Sequence, residues 1–260
     1  MAQFKEGWRI QVRVIKALMI RELGTRFGRE NIGFLWIMVE PLLFAGLVAI
    51  VWRVMKGPEE HGVSVIAFVV SGYLPLTLFR HAVTRCISVF LANGSLMYHR
   101  QIRILDFIFV RFLIEMLGGM MAYLFIAIVL NYFDLFPMPA DIGLMITGWL
   151  LYSLFTLSVC FVIAPLSEMS EVMEKFVPVT TYIMIPFSGT FNMQSWLPPG
   201  VRDVLGWSPW VNAMEMMRYG IFGNNIEPFY NFAVPIGMSA LFTVVGLALC
   251  RRVRRTLVVE

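Results

Sequence analysis

The sequence predicts an all-α integral membrane protein with six transmembrane helices, an N-terminal amphipathic interfacial helix and a re-entrant helical region before the last span. Of its 260 residues, 58% are hydrophobic and 15% are charged, whereas a water-soluble domain of this length would need more charge on its surface. The surface of this protein must therefore face lipid. Three cysteines in or beside apolar segments and three scattered histidines predict neither a disulfide framework nor a metal site.

Residues 1–32 predict an amphipathic helix at the cytosolic surface of the membrane. Apolar residues recur on one face at helical spacing: Trp8, Val12, Ile15, Met19 and Leu23. Cations share another face: Lys5, Arg9, Arg13 and Lys16. Such a helix lies flat, with its apolar side in the acyl boundary and its cations among anionic headgroups. A docking surface for a cytosolic partner could use the same helix.

Residues 33–260 predict a six-helix transmembrane domain. A hydrocarbon core of ~30 Å requires about 20 predominantly apolar residues in a helix. The six predicted spans are Gly33–Val51, Val63–Phe79, Phe107–Phe133, Ile142–Ala164, Phe176–Phe191 and Phe229–Cys250. The fifth is rather short and contains Pro178, Pro186 and Gly189.

Residues 192–228 differ from a spanning helix in their content of helix breakers. These breakers are Pro198-Pro199-Gly200, Ser208-Pro209 and Gly223-Asn224-Asn225. Irregular backbone at membrane depth is tolerated only where protein or a water-filled cavity surrounds it. We predict a periplasmic re-entrant region with two short helices, 197–205 and 209–222. Three tryptophans would lie at headgroup depth: Trp196, Trp207 and Trp210.

The distribution of cations predicts that both termini lie in the cytoplasm. With six spans, both termini are on one side of the membrane. That side carries 16 of the 21 Lys and Arg residues: seven before Gly33, four within 80–106, Lys175 and four in the C-terminal tail. The other side carries four, and Arg111 lies within a span. The positive-inside rule then assigns the richer side to the cytoplasm, so we expect a multi-pass protein of the bacterial inner membrane.

The stretch from Arg21 to Pro41 leads from a cationic segment directly into an apolar helix. A charge near the bilayer centre costs roughly 2.5–3.5 kcal/mol on insertion scales, so Glu40 needs a polar partner or a hydrated cavity. Pro41 removes a backbone hydrogen bond and should bend the helix. A cationic entry, a bent helix and a buried carboxylate together indicate a helix that lines the path of a polar substrate. A kinked membrane anchor would have the same pattern.

The chain has no Gly-x-x-x-x-Gly-Lys-Ser/Thr loop, which cradles phosphates in P-loop ATPases. We therefore expect no ATPase activity of its own, and no enzyme activity. Glu40 and Glu115 are the main intramembrane carboxylates, which is few for a proton relay, so a partner ATPase is favoured over gradient coupling. Arg111 and Glu115 are one helical turn apart and are expected to neutralise each other. Glu215 and Arg218 are expected to pair in the same way.

Three segments along the chain carry a resemblance to a known family. They are Arg21-Glu22…Thr25-Arg26-Phe27-Gly28…Gly33-Phe34-Leu35-Trp36…Glu40-Pro41, then Tyr98…Ile102-Arg103-Ile104-Leu105-Asp106 with Arg111 and Glu115, and Ser208-Pro209-Trp210-Val211-Asn212…Glu215…Arg218. Together they resemble the type-2 ABC exporters of bacterial surface polysaccharides, and within them the capsular polysaccharide permease (KpsM-like) branch. The resemblance covers essentially the whole chain, although the family often has Asn-Pro where this chain has Ser208-Pro209.

The resemblance implies a homodimer of six-helix subunits, each docked on a cytosolic ATP-binding cassette subunit. It implies that ATP and Mg are bound by that partner and that this chain binds no cofactor. The substrate would be a long anionic polysaccharide on a lipid terminus. A periplasmic co-polymerase-type adaptor and an outer-membrane channel would complete the system, with no role for nucleic acid.

Four groups of candidate site residues follow from this interpretation. The substrate headgroup would enter at Arg21, Arg26, Arg29 and Glu40, because guanidinium groups suit phosphate and carboxylate geometry. Aromatic rings would line the channel at Trp36, Tyr73, Tyr182, Phe187 and Phe191, although such rings also fill helix interfaces. A coupling helix over 93–104 would contact the ATPase through Asn93, Leu96, Tyr98, Arg100, Ile102 and Arg103. The polar connection over 165–175, with Glu168, Glu171 and Glu174, is a second candidate contact for that partner. The periplasmic exit would include Trp207, Trp210, Glu215 and Arg218.

Other functions remain open at this level. The same machinery could export O-antigen, teichoic acid, or a small drug or lipid. A membrane glycosyltransferase or acyltransferase is a different class, but the loops lack clustered His, Asp and Glu. A passive scaffold would not explain Glu40 and Pro41 within the first span.

Overall fold

The computed structural model shows a bundle of α-helices and describes residues 2–27, 33–97 and 102–257, with side chains over 5–26, 39–97 and 102–255. The α-helices of these residues are α1 Ala2–Phe27, α2 Gly33–Lys56, α3 Val65–Cys86, α4 Ile104–Tyr132, α5 Ile142–Met169, α6 Glu171–Ile183, α7 Pro199–Leu205, α8 Pro209–Phe222 and α9 Ala233–Leu257. A two-stranded antiparallel hairpin, β1 Glu59–Glu60 and β2 Val63–Ser64, connects α2 to α3. Short 3₁₀ helices cover Leu91–Leu96, Ile185–Ser188, Gln194–Trp196 and Gly223–Asn225.

Four of the described helices are long and apolar enough to cross a membrane: Val65–Cys86, Ile104–Tyr132, Ile142–Met169 and Ala233–Arg255. In the most apolar stretch of α3, 89% of the residues are buried inside the protein, whereas the figure for α9 is 22%. The helix α3 is therefore the centre of the bundle, and α9 lies at its edge. This arrangement supports an all-α membrane protein.

The position of α3 is set by its N-terminal cap and the hairpin before it. His61 and Gly62 both have positive φ, of 52° and 77°, as the two central residues of a type I′ turn require. The Ser64 hydroxyl caps α3 by accepting from the N–H of Ala67 and donates to the Leu135 carbonyl oxygen, at 3.1 Å. The start of α3 is thus tied to the end of α4.

The helix α5 packs against α8 and α9 through glycines. A Cβ atom on Gly148 would lie 2.6 Å from the backbone nitrogen of Met217, and one on Gly220 would collide with the backbone of Met145. Glycine at these two positions lets the backbones of α5 and α8 come into direct contact, as small residues do at membrane helix interfaces.

The first and fifth predicted spans differ from the helices observed. The helix α2 continues beyond Val51 to Lys56, and its described side chains from 39 onward include three charged residues, Glu40, Arg53 and Lys56. The prediction of one helix over 176–191 is wrong. The helix α6 has 13 residues, or about 20 Å at 1.5 Å per residue, and a left-handed Gly189 with φ 74° ends the 3₁₀ turn after it. The count of six spans stays a prediction.

The N-terminal helix packs partly on protein. Leu18 is buried, and the apolar residues packed beside it are Val14, Ile15, Met19 and Leu23. Trp8 remains 65% exposed and is free to contact lipid. The C-terminal half of α1 is therefore docked on the bundle, whereas the predicted helix lay flat along its whole length.

The two short helices before the last span have nearly their predicted bounds, since α7 covers Pro199–Leu205 and α8 covers Pro209–Phe222. Their depth in the membrane stays a prediction. The depth of Trp196, Trp207 and Trp210 stays a prediction too. Trp196 packs on Phe68, and Trp210 packs between Phe79 and Phe155, with ring centroids 4.5–4.7 Å apart. Their neighbours belong to the buried core, and Trp207 alone of the three is exposed.

Candidate functional site

A cluster of charged side chains lies where α1, α3 and α4 meet. Its centre is Glu115 of α4, whose side chain is 2% exposed. Arg26 of α1 donates to Glu115 with its Nη1 2.8 Å from Oε1, and Arg85 of α3 approaches the same oxygen at 3.2 Å. The Nδ1 of His81 lies 3.9 Å from the second carboxylate oxygen. Three helices are thereby joined through one carboxylate.

The predicted pair between Arg111 and Glu115 does not form. Arg111 instead donates to Glu22 of α1 at 3.1 Å and to the Arg85 carbonyl oxygen at 2.6 Å. Glu22 also pairs with Arg26, one turn along α1, at 2.8 Å. The physical reason is that α1 packs against α4 and supplies an opposite charge to both residues, which a local i, i+4 rule does not anticipate.

The charge cluster is Glu22, Arg26, Arg85, Arg111 and Glu115, with His81 at its side. Burying charged groups is costly unless they are paired and hydrogen-bonded. Because its two carboxylates contact three guanidinium groups, the cluster meets this requirement and fixes α1 on the bundle. Arg26, predicted to meet the substrate headgroup, is already engaged in these contacts.

A pocket of about 180 Å³ lies beside this cluster, between α2, α3 and α6. Its lining residues are Glu40, Pro41, Phe44, Tyr73, Thr77, Arg80, His81 and Tyr182. Glu40 is 41% exposed and its Oε1 lies 3.6 Å from the Nε2 of His81. His81 therefore lies between Glu40 in the pocket and Glu115 in the charge cluster.

Arg80 is the cation of this pocket. Its guanidinium group lies 4.0 Å from the ring centroid of Tyr182, a cation–π contact that leaves the planar edge of the group free to donate. Among the described residues, the buried Nε of Arg80 has no hydrogen-bond partner. A half-buried guanidinium with such a donor fits an oxyanion such as a phosphate or carboxylate.

The structure brings together three of the predicted site residues. Glu40, Tyr73 and Tyr182 line the same pocket, although the sequence placed them in two different groups. Arg21 instead donates to Asn93 at 2.8 Å. Phe187 is exposed and Phe191 packs against Trp52 at 5.2 Å, so neither lines the pocket. Arg29 and the side chain of Trp36 lie outside the described residues.

The sequence reasoning missed Thr77, Arg80 and His81 as site residues. Together with Tyr73 they follow a spacing of four, seven and eight residues along α3, which places them on one helical face. The sequence therefore contained this helical spacing. It was missed because the four residues extend across the predicted end of the second span, at Phe79, into the cation-rich segment 80–106.

The proposed coupling segment over 93–104 is not one helix. Asn93 lies inside the 3₁₀ helix Leu91–Leu96 and is buried, with its amide donating to the Val89 carbonyl oxygen at 2.8 Å, so it starts no α-helix. Leu96 and Ile102 pack partly against the core, and Arg103 is exposed at the start of α4. Tyr98 and Arg100 lie outside the described residues.

The second predicted polar connection contacts the first one. The Ser88 hydroxyl, after the end of α3, donates to Glu174 of α6 at 2.6 Å. This bond places the N-terminal end of α6 beside the turn that leads to Leu91–Leu96. Both predicted contacts for a cytosolic partner thus lie at the same end of the bundle.

The predicted pair between Glu215 and Arg218 does not form an ion pair in the described structure. Arg218 is buried and donates to backbone oxygens of Phe68, Gly189, Thr190 and Asn192 and to the Ser71 hydroxyl. Glu215 accepts from the N–H of Gln194 at 2.6 Å and from Phe229. Burial raises the pKa of Glu215, and these hydrogen bonds and Arg218 oppose that rise. Both residues therefore hold loops in place. Arg218 joins α3 to the turn at Gly189, and Glu215 joins α8 to the backbone at Gln194 and Phe229.

Relatives with curated descriptions were found along nearly the whole chain, whereas no family model matches it. The capsule polysaccharide export inner-membrane protein CtrC of Neisseria meningitidis serogroup B is 35% identical over 246 residues, which are 95% of this chain and 93% of the relative. The corresponding protein BexB of Haemophilus influenzae is 33% identical over 248 residues, or 95% of this chain and 94% of the relative. The polysialic acid transport protein KpsM of Escherichia coli is 26% identical over 260 residues, or 95% and 96% of the two chains.

These similarities confirm the predicted resemblance. Identities above 30% over almost the full length of both chains are accompanied here by four helices able to cross a membrane. The chain therefore belongs to the family of capsule polysaccharide export inner-membrane proteins.

Proposed function

We propose that this chain is the membrane-spanning subunit of an ATP-driven exporter that moves lipid-linked, anionic capsular polysaccharide from the cytoplasm across the inner membrane. The observation that carries the proposal is the full-length similarity to two capsule export proteins of the inner membrane. The polysialic acid transport protein, a more distant relative, is named for an anionic polymer. These names favour capsule over O-antigen, teichoic acid or a small lipid or drug.

The energy would come from a partner. We propose a homodimer of this chain, with each copy docked on a cytosolic ATP-binding cassette subunit that binds ATP and Mg. The chain itself would be a permease and not an enzyme. A periplasmic co-polymerase-type adaptor and an outer-membrane channel would receive the polymer.

The pocket between α2, α3 and α6 is the proposed contact for the charged end of the substrate. Arg80 would donate to a phosphate or carboxylate oxygen through the Nε that lacks a partner among the described residues. Glu40 and His81 lie in the same pocket, 3.6 Å apart. An incoming anion would be repelled by Glu40 and attracted by Arg80, so it would bind on the Arg80 side, against Tyr182.

The surface proposed for the ATPase is the end of the bundle at which α6 and α4 begin. Ser88 and Glu174 join the two connections there, and exposed Arg103 and Lys175 supply charge for a rim. With both termini in the cytoplasm, as the cation distribution predicts, this end faces the cytosol.

The proposal can be tested in an encapsulated strain from which the gene for this chain has been deleted. Re-expression of the chain should restore polymer on the cell surface and remove polymer accumulated in the cytoplasm. Arg80→Ala should prevent both effects, whereas Arg53→Ala, which removes an exposed cation from α2, should not. The protein should also co-purify with a stoichiometric ATPase subunit. Normal surface polymer in the deletion strain would overturn the proposal, as would recovery of a homodimer without an ATPase.

A further inference from the structure

We propose that a second pocket, formed by α7, the start of α9 and the loop before α9, binds sugar residues of the polysaccharide. The inference rests on the proposed export function and names a site that shares no lining residue with the Arg80 pocket. This pocket has a volume of about 820 Å³, and six of its lining residues carry the argument: Gln194, Arg202, Asp203, Trp207, Asn212 and Asn231. Its size is sufficient for several sugar rings.

The first argument is the free amide of Gln194. This residue is 3% exposed, and among the described residues its Nε2 has no hydrogen-bond partner. A buried polar group without a partner is costly, at about 1–3 kcal/mol. A hydroxyl oxygen of a bound sugar would satisfy this donor.

The second argument is that the walls of the pocket are fixed before any ligand binds. The backbone of Gln194 donates to Glu215 at 2.6 Å and accepts from the Arg202 Nε at 2.9 Å. Asn212 joins the two sides by donating to the Gly206 carbonyl oxygen at 2.6 Å and accepting from the N–H of Asn231 at 2.7 Å. A pre-formed site loses less conformational entropy when it binds a ligand.

The third argument is the type of ligand that the lining suits. Trp207 is 77% exposed, and its flat apolar face can stack against the C–H face of a sugar ring, while its N–H can donate. Asp203 and Asn231 are exposed beside it and can bond to hydroxyl groups. Arg202 is already engaged, since it donates to three carbonyl oxygens and lies 4.1 Å from the Phe229 ring centroid. The site therefore favours hydroxyl groups over the phosphate of a phospholipid.

The test is photo-crosslinking in cells that are exporting capsule. A benzophenone amino acid would replace Trp207 in one variant and Val204 in another. Val204 is a suitable control because it lies only three residues away, in the last turn of α7, is 71% exposed and does not line the pocket. After illumination, adducts would be detected as high-mass material that a polymer-degrading glycosidase removes. Surface capsule would be measured in the same cells.

We expect glycosidase-sensitive adducts at 207 and at least fivefold fewer at 204. When Gln194→Met is combined with the crosslinker at 207, the polymer adducts at 207 should be fewer than with the crosslinker alone. This substitution removes the side-chain amide but leaves the backbone bond from residue 194 to Glu215 in place. Adducts to lipid or to a protein alone at 207 would overturn the proposal, as would equal polymer adducts at both positions or none at 207 in cells that display capsule. If surface capsule does not depend on this chain at all, the export function itself fails, and the two failures are distinguishable.

Discussion

Arg26 of α1 donates to Glu115 of α4 at 2.8 Å, across 89 residues of sequence. The bond lies in a nearly closed environment, since the side chains of Arg26 and Glu115 are 15% and 2% exposed. It connects the N-terminal helix to a helix able to span the membrane. A movement of α1 would therefore be transmitted to α4 through charged groups that have little access to bulk water.

Replacement of Arg26 by Ala should destabilise the protein by about 3–5 kcal/mol, because it leaves Glu115 with one fewer partner in a buried site. Arg26→Glu should abolish export without preventing membrane insertion, since it places a carboxylate beside Glu22 and Glu115. Thermal unfolding in detergent measures the first effect, and surface capsule with membrane fractionation measures the second. Arg13→Ala, at an exposed position of α1, is the control. An Arg26→Glu variant that exports normally would contradict the importance of this contact.

Gly72→Ala should destabilise the protein by about 1–3 kcal/mol, the usual cost of overpacking. A Cβ atom at this position would collide with the Arg218 guanidinium group and lie 2.5 Å from the Thr190 carbonyl oxygen. Gly46→Ala is a matched control, because no atom of the described residues lies within 4 Å of its added Cβ and alanine favours a helix by up to ~1 kcal/mol. In detergent, the free energy of unfolding of Gly46→Ala should therefore equal or exceed that of the parent protein, and that of Gly72→Ala should be lower. The reverse order would show that Arg218 can move aside.

Tyr182→Leu should reduce the rate of export about two- to fivefold, which corresponds to loss of a cation–π contact of ~0.5–1 kcal/mol with Arg80. Tyr182→Phe retains the ring and should export at nearly the parent rate. The measurement is the initial rate at which polymer reaches the surface of cells with equal amounts of each variant. Equal rates for Leu and Phe would mean that the ring does not position Arg80.

Glu174→Ala should increase the amount of ATP hydrolysed per polymer exported, because it breaks the bond from Ser88 that joins the two connections at the proposed ATPase surface. Glu174→Gln keeps an acceptor for the Ser88 hydroxyl and should retain most of the coupling. Reconstituted transporter in vesicles allows hydrolysis and transport to be measured together. Tyr98→Ala should have the same uncoupling effect as Glu174→Ala. Unchanged coupling in both alanine variants would place the ATPase contact elsewhere.

Much of the fold follows from local chemistry that is readable along the chain. The bounds of α8 agree with the prediction because Pro209 suits the first turn of a helix and Gly223 with its positive φ suits the end. The start of α5 is similarly set by Asp141, whose side chain accepts from the N–H of Leu144 at 3.0 Å. The fifth predicted span failed because hydropathy alone does not indicate that the α-helix ends at Ile183, shortly before Pro186, which disfavours helical backbone at the residue before it.

The candidate site was predictable in part. Glu40 stood out because a carboxylate in an apolar helix needs a partner, and Tyr73 and Tyr182 stood out as aromatics within spans. Their convergence with Arg80 and His81 could not be predicted, since it depends on which faces of α2, α3 and α6 pack together. Periodicity gives the face of one helix but not the identity of its neighbour.

The sequence by itself determined the class of the protein, its apolar helices and its family, because these depend on composition, local caps and matched motifs. The tertiary structure alone decided the partners of the charges. Arg111 pairs with Glu22 and not with Glu115, and Arg218 bonds to backbone oxygens and not to Glu215. The reason is physical: an i, i+3 or i, i+4 pair contributes a few tenths of a kcal/mol, whereas a buried charge without enough partners costs several. Packing between distant segments therefore overrides the local pairing.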